Sequence, residues 1–331
     1  MTSAPTASLQ PSATPSATTV ATAWRQLEPG GGPAAREDHT WTLDPAARVA
    51  YLFGGRDGAR VDRDLWAFDL ATDTWARLTP QNDGPTGRFG HEAVWVDGLG
   101  VVVWAGQAGP TTFFDDLWAY DPATNRWSQL PNGGATPLAR YGSCAALGPD
   151  GRLWISHGFT EDGTRFADTR AYDFASGRWS DETPDGRVPV NRCLHGCWWT
   201  DDGDLVLYAG QTTGVQALGD LWTLGDPGGA AAAWARVDGD LPENRNLYAF
   251  ARHRDSIVVF GGRGLGNTYH RDLFAVDDAT LAIEPLQADG ARPPGRAGAT
   301  FIDDPAGGRL VLFGGRTASR ALDDTWELTL P

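Results

Sequence analysis

One motif returns at a constant interval along almost the whole chain. An aspartate followed by a short apolar or aromatic run occurs six times, each copy starting 52 residues after the one before. The aspartates are Asp64, Asp116, Asp168, Asp220, Asp272 and Asp324. Self-similarity at a period of about 50 residues is typical of repeat architectures, in which each copy is one supersecondary unit. The chain is therefore built from six copies of one unit.

Each unit contains four short runs that read as strands. In the first unit they are His39–Leu43, Val49–Phe53, Leu65–Asp69 and Thr74–Leu78. The second run is almost wholly apolar in most units, which predicts a strand covered on both faces by neighbours. Gly, Pro, Asp and Asn fill the intervening turns. Four-stranded units repeated six times predict an all-β, six-bladed β-propeller with antiparallel blades.

Further landmarks keep the same register and resemble a known family. A glycine pair precedes an arginine at Gly54-Gly55, Gly261-Gly262 and Gly314-Gly315, and Asp-Leu-Trp begins several of the third strands. With these marks the chain resembles kelch-repeat proteins from about Trp24 to Leu330. The resemblance implies a propeller whose ligands engage one mouth of a central channel. An arginine also opens each unit, and we expect this set to be structural: Arg36, Arg88, Arg140, Arg192, Arg245 and Arg296.

The two ends of the chain predict how the ring closes. Unit six lacks a fourth strand, and Trp24–Leu27 has the tryptophan-to-leucine pattern of that strand in other units. We predict that it joins the last blade, so that residues 23–331 form a single propeller. Residues 1–22 are rich in Ser, Thr, Pro and Ala and are expected to be a disordered tail. They lack an apolar signal-peptide core, and the sequence leaves both a cytoplasmic protein and an exported one with its signal removed open.

Composition excludes several functions. The net charge is −15, and all 27 basic residues are arginine, because the chain contains no lysine. Schiff-base chemistry and P-loop phosphate binding are thereby excluded. The acidic charge argues against nucleic acid as a partner, and we expect a monomer without membrane insertion. Cys193 and Cys197, four residues apart on one strand, are too distant to pair, so we expect buried thiols and no disulfide framework, with Cys144 the third.

Two sets of residues are expected at the channel mouth by the kelch resemblance. One set follows the glycine turns and comprises Arg56, Gln107, Phe159, Gln211, Arg263 and Arg316. The other follows the opening arginines and comprises Glu37-Asp38, Phe89-Gly90, Tyr141-Gly142, Cys193-Leu194, Asn246-Leu247 and Ala297-Gly298. Arg263, Arg316 and Arg56 belong to adjacent blades, and guanidinium groups match carboxylate, sulfate or phosphate. An anion-and-aromatic pocket follows, unless these arginines merely pair with local carboxylates.

Three functional interpretations remain open, the third being a purely structural module within an exported assembly. The first is a recognition propeller that binds an anionic small molecule or an acidic peptide at the mouth. The second is a small-molecule enzyme of mutarotase, isomerase or lyase type, with Glu37, Asp38 or His270 as acid or base. Kelch-type sialic acid mutarotases, which bind a carboxylate with channel arginines, are compatible with the second.

A metal is the remaining cofactor question. We predict no cofactor, although His39, His91 and His195 occupy equivalent positions in three units and are candidate ligands for a divalent metal. The Glu-x-x-x-Asp-x-x-x-His iron loop of nitrile-specifier-type kelch proteins is absent from the sequence.

Overall fold

The computed structural model describes residues 21–239 and 242–331, and it contains six blades of four antiparallel strands. Before the first blade comes β1 (Ala23–Leu27). Blade 1 contains β2 (Thr40–Asp44), β3 (Val49–Phe53), the hairpin of β4 (Arg56–Asp57) and β5 (Arg60–Val61), β6 (Leu65–Asp69) and β7 (Thr74–Leu78). Blade 2 contains β8 (Glu92–Val96), β9 (Gly100–Trp104), the hairpin of β10 (Gln107–Gly109) and β11 (Thr112–Phe113), β12 (Leu117–Asp121) and β13 (Arg126–Gln129).

Blades 3 and 6 are each preceded by a two-residue strand that pairs in parallel with an outermost strand. For blade 3 the strands are β14 (Gly133–Gly134), β15 (Cys144–Leu147), β16 (Leu153–Ser156), β17 (Thr169–Asp173) and β18 (Arg178–Asp181). For blade 4 they are β19 (Gly196–Trp199), β20 (Leu205–Thr212), β21 (Gln216–Gly225) and β22 (Ala233–Val237). For blade 5 they are β23 (Ala249–His253), β24 (Ser256–Phe260), β25 (Leu273–Asp277) and β26 (Ile283–Pro285). For blade 6 they are β27 (Asp289–Gly290), β28 (Ala297–Asp304), β29 (Arg309–Arg316) and β30 (Thr325–Thr329).

The two short parallel strands, β14 and β27, pair with different partners. Strand β14 pairs with β18 of its own blade, whereas β27 pairs with β1, the outermost strand of blade 6, so the short strand that precedes a blade belongs to blades 3 and 6. Two short 3₁₀ turns, Thr213–Val215 and Leu265–Asn267, lie in the loops of blades 4 and 5.

The core lies between the blades. Every residue of β9 is buried, and Val102 and Trp104 on this strand pack with Leu153 and Ile155 on β16 of the next blade. Corresponding apolar clusters join the other neighbouring blades. The apolar second strands are therefore covered on both faces, as the sequence predicted.

The six opening arginines hold the blades together internally. The Arg36 side chain is fully buried and donates to both carboxylate oxygens of Asp64, at 2.7 and 3.1 Å. It also donates to the carbonyl oxygens of Ala34 and Gly54. The same arrangement recurs in all six blades, in the pairs Arg88–Asp116, Arg140–Asp168, Arg192–Asp220, Arg245–Asp272 and Arg296–Asp324. The repeated charge pair of each blade is thus a structural clamp, and in blade 1 the clamp and the two carbonyl contacts use four of the five N–H donors of Arg36.

Strand β1 closes the ring. It pairs antiparallel with β30 over five residue pairs, from Ala23–Thr329 to Leu27–Thr325. Trp24 and Leu27 are each 4% exposed, and the Trp24 ring packs against Phe260 and Phe301. The predicted closure is confirmed. The predicted first strand of blade 1 was one residue out, since β2 is Thr40–Asp44.

The expectation about cysteines was partly wrong. Cys144 on β15 and Cys197 on β19 form a disulfide that joins the innermost strands of blades 3 and 4, with their Cα atoms 5.6 Å apart. Cys193 is a buried free thiol, as expected. The spacing argument considered pairs along one strand, whereas the disulfide connects two neighbouring blades.

The predicted disordered tail lies outside the described residues, except for Ala21 and Thr22. In the described part of the chain, no helix has the length and apolar character needed to span a bilayer.

Candidate functional site

The two predicted sets of mouth residues pair with each other, blade by blade. Glu37 forms a β-bridge with Arg56, with backbone N–H···O distances of 2.9 Å in both directions. The same bridge occurs between Phe89 and Gln107 and in every other blade except the last, where Ala297 pairs with Arg316 inside the longer strands β28 and β29. Each blade therefore presents one residue of each set at the same end of the channel.

A closed ring of backbone hydrogen bonds lies directly beneath these pairs. Asp38 donates its N–H to the carbonyl oxygen of Gly298, and Gly90 donates to Asp38. Continuing around the channel, each member donates to the preceding one at 2.7–3.1 Å. All six have positive φ, between 54° and 66°, which the three glycines tolerate without strain. The members are Asp38, Gly90, Gly142, Leu194, Leu247 and Gly298.

This ring separates the mouth from the channel interior. A cavity of about 150 Å³ lies on its far side and is lined by all six ring residues and by the residues that follow them. None of the residues in the β-bridged pairs lines that cavity. A larger cleft of about 660 Å³ runs between blades 1 and 2, lined by Arg63, Arg77 and Trp127 among others, and also contains no mouth residue. The ring therefore forms the floor of the mouth.

Two buried carboxylates stand at the mouth among the arginines. The side chains of Glu37 and Asp38 are 5% and 0% exposed. Arg56 Nε lies 3.4 Å from Glu37 Oε1, and Arg56 Nη2 lies 3.2 Å from Asp38 Oδ2. Arg316 Nη1 lies 3.5 Å from the same Glu37 oxygen. Two arginines of the predicted arc therefore pair with local carboxylates, while Arg263 donates to Gln211 Oε1 at 3.2 Å.

The environment of Glu37 favours its neutral form. Burial and, after it, the adjacent charge of Asp38 raise the pKa of Glu37 to about 7, although Arg56, Arg316 and Arg263 each oppose the rise. The Tyr141 hydroxyl donates to Asp38 Oδ2 at 3.0 Å, and burial together with Asp38 raises the pKa of Tyr141 well above its usual value. The mouth thus holds one carboxyl group that titrates near neutral pH.

An aromatic row covers the other side of the mouth. The rings of Phe89 and Tyr141 are 5.6 Å apart, and those of Tyr141 and Phe159 are 5.0 Å apart, both edge to face. The Arg56 guanidinium stands over Phe89, 4.2 Å from the ring centre. At the other end of the row, the Arg165 guanidinium lies 5.7 Å from the centre of Phe159.

Arg165 is a mouth residue that the sequence reasoning missed. It forms a β-bridge with Phe159 and belongs to a third set, which lies three residues before each repeated aspartate. Arg165 and Arg263 both lie near the buried Cys193 thiol, where they oppose the rise in its pKa, which burial brings to about 11. Arg56, Arg316 and Arg263 therefore face Glu37, while Arg165 and Arg263 face the thiol.

Known proteins resemble this chain in sequence and in fold. A profile of the KLHDC2/KLHL20/DRC7 Kelch-repeats domain matches residues 14–210, more than half of the chain. The chain belongs to the kelch-repeat family. Among solved structures, the one titled "Structure of YjhT" matches this kelch propeller with a TM-score of 0.70 over 90% of this chain and 96% of that one, at 16% identity. That likeness concerns the fold alone.

The sequence relatives of this kelch propeller have different activities. The N-(sulfonatooxy)prop-2-enimidothioate sulfolyase of Thlaspi arvense is 24% identical over 91% of this chain and 94% of its own length. A Rab9 effector protein with kelch motifs from Xenopus laevis is 23% identical over 61% of this chain, which spans 57% of that protein. Membership of the family therefore defines the fold and leaves the activity to the residues at the mouth.

Several predicted site residues of the kelch propeller have unused polar atoms. Gln107 Oε1 and Asn246 Oδ1 are buried without a hydrogen-bond partner, as is Asp38 Oδ1. Buried polar atoms are almost always paired in proteins, so these atoms are available to a ligand or to water. His270 stands apart from this group: its ring nitrogens lie 3.6 Å from a carboxylate oxygen of Glu243 and 3.4 Å from the Asn244 carbonyl oxygen.

The three histidines at equivalent positions do not converge on one point. His39 Nε2 lies 2.8 Å from Thr300 Oγ1, and His91 Nε2 lies 2.8 Å from Thr40 Oγ1, so each pairs with the innermost strand of the preceding blade. The His195 ring instead packs edge to face on His157. Across residues 21–239 and 242–331, no three His, Cys, Asp or Glu side chains lie together in a way that would hold a metal ion.

Proposed function

We propose that this kelch propeller binds a carboxylate-bearing ligand at the arginine-rich mouth of its channel. The observation that carries the proposal is the charge at the mouth: Arg56, Arg263 and Arg316 face two carboxylates, one of which is half-protonated near pH 7, and Arg165 lies at the far end of the aromatic row. A surplus of positive charge in a protein of net charge −15 attracts an anion to this one place.

The aromatic row supports a ligand with an apolar or ring-shaped body. Phe89, Tyr141 and Phe159 supply a wall beside the arginines, and the backbone ring supplies a floor. Binding sites commonly combine such an apolar surface with a few polar groups that orient the ligand. The sulfolyase relative acts, by its name, on a sulfonatooxy compound, which is also an anion.

Calorimetric titration with benzoate, and with benzyl alcohol as the neutral control, tests the proposal. We expect benzoate to bind and benzyl alcohol not to bind. Arg263→Gln and Arg316→Gln should each weaken benzoate binding about tenfold, because a charge-assisted contact contributes about 1.5 kcal/mol or more. Arg126→Gln, an exposed arginine on the outermost strand of blade 2, is the matched control and should bind as the wild type does.

An acidic peptide with a blocked C-terminus forms the second arm of that experiment. Tighter binding of the peptide than of benzoate would identify a protein segment as the ligand. If neither probe binds, or if the arginine variants bind as tightly as the wild type, the mouth is not the anion site.

A second candidate function is acid–base catalysis, and the pKa of Glu37 near 7 favours it. A general acid or base works best when its pKa is close to the working pH. The reaction class is the isomerisation of a sugar acid, tested by NMR exchange between the two anomers of glucuronate. Glu37-dependent exchange, lost in Glu37→Gln while binding persists, supports catalysis; exchange that is unchanged in the variant removes it.

A further inference from the structure

The carboxylate of Glu37 already occupies the space between two mouth arginines. Its Oε1 atom is the closest partner of both Arg56 Nε, at 3.4 Å, and Arg316 Nη1, at 3.5 Å. Charge-assisted hydrogen bonds are normally about 2.7–2.9 Å long. The structural clamp of the same blade shows the contrast, because Arg36 Nη1 lies 2.7 Å from Asp64 Oδ1. Glu37 therefore holds the two guanidinium groups loosely and through a single oxygen.

The charged groups that face Glu37 come from three adjacent blades. Asp38 is the next residue along the chain, and its carboxylate repels that of Glu37. The guanidinium groups of Arg56, Arg316 and Arg263 attract the Glu37 carboxylate. Arg316 is 38% exposed and Arg56 is 29% exposed, so both remain accessible from solvent. A ligand carboxylate with two oxygens can meet both guanidinium groups at once, which the single Glu37 oxygen does not do at normal distance.

We propose that Glu37 holds the place of the ligand's carboxylate between Arg56 and Arg316, and gives it up by taking a proton from solvent when the ligand binds. The inference rests on the proposed anion binding at the mouth. In the exchange the Glu37 carboxylate becomes a carboxylic acid and the ligand enters as a monoanion, so the net charge of the mouth is unchanged. Glu37 thereby selects a ligand with a planar carboxylate and a single negative charge, because the charge that the ligand brings equals the charge that Glu37 loses.

The pH dependence follows from the direction of this exchange. Below about pH 6 Glu37 is already protonated in the free protein, so binding is tight and takes up no proton. Above about pH 7 the free protein carries the Glu37 charge, and each further pH unit weakens binding about tenfold. The raised pKa of Glu37 places this change near neutrality.

Calorimetry in two buffers counts the protons directly. Benzoate is titrated into the full chain at about pH 8 in Tris and in triethanolamine, and at about pH 6 in bis-tris and in imidazole. These cationic buffers do not compete for the arginines, and the two of each pair differ in ionisation enthalpy. We expect uptake of about one proton per benzoate at about pH 8, and close to none at about pH 6. Glu37→Gln should bind benzoate at all pH values as tightly as the wild type does at the lower pH, with no proton uptake.

The controls separate this inference from the proposed function. Glu284→Gln, an exposed glutamate on β26, should retain the wild-type proton uptake. If benzoate binds without proton uptake and Glu37→Gln binds with the wild-type pH dependence, the inference is wrong and anion binding stands. If benzoate does not bind at either pH, the proposed function itself fails. The two-buffer measurement on the wild type decides the question even if the variant does not fold.

Discussion

Removal of strand β1 tests how the ring is held closed. Deleting residues 1–30 takes away Trp24 and Leu27, each 4% exposed, and bares the edge of β30 over five residue pairs. Truncating a buried tryptophan to alanine costs about 3–5 kcal/mol, and a buried leucine about 2–5 kcal/mol. The deletion should therefore cost at least about 5 kcal/mol. With an unfolding entropy of about 2.1 cal/mol/K per residue, this loss lowers the melting temperature by about 7 °C.

Differential scanning calorimetry of three proteins measures the effect. The full chain and a chain lacking residues 1–20, none of which belongs to a described strand, should melt within about 1 °C of each other. The chain lacking residues 1–30 should melt at least about 7 °C lower, and Trp24→Ala should lie between. Equal melting of the two truncated chains would refute closure by β1 as a source of stability.

Three further changes test the packing and the ring. Burial lowers the pKa of His39 and His157 to about 3, and that of His91 and His195 well below its usual value. Between about pH 6 and 4 these four groups therefore protonate only on unfolding, and the free energy of unfolding should fall by about 5 kcal/mol per pH unit. A slope below about 2 kcal/mol per pH unit in urea titrations contradicts this. Gly90→Ala should cost about 2 kcal/mol more than Gly142→Ala in the same assay. The backbone φ is similar at both positions, but the added carbon would lie 1.9 Å from a Tyr141 ring carbon at residue 90 and 2.6 Å from a Leu194 methyl carbon at residue 142; equal costs would mean that the Tyr141 ring moves freely. Thiol titration of the unfolded protein should find one free cysteine before reduction and three after it, and three thiols before reduction would exclude the disulfide. Cys144→Ser should lower the free energy of unfolding by about 4 kcal/mol, because the unfolded chain gains the entropy of the opened loop.

The repeat made the architecture predictable, because periodicity is a property of sequence alone. Strands β3, β6 and β7 have the predicted bounds, and Trp24–Leu27 lies where the missing strand of unit six required it. The repeat register also put Glu37 and Arg56 into the two sets expected at the same end of the channel, and the structure pairs them in a β-bridge.

Contacts between blades were harder to predict. Cys144 and Cys197 occupy positions in their units that differ by one residue, so the register of the repeat gives no signal that they meet. Arg165 was missed because the loops after the glycine turns vary in length, although counting back three residues from Asp168 finds it. The pairing of Arg56 and Arg316 with Glu37 depends on side-chain directions that no spacing encodes.

The central claim is that the arginine-bearing mouth of this kelch propeller takes a carboxylate. A crystal structure with 4-bromobenzoate, bound below the pKa of Glu37, tests it most directly because the bromine is located by its anomalous scattering. The account predicts the carboxylate between Arg56 and Arg316 and the bromine beside the aromatic row of Phe89 and Phe159. A saturated crystal whose mouth holds only water, with the bromine elsewhere, would contradict it.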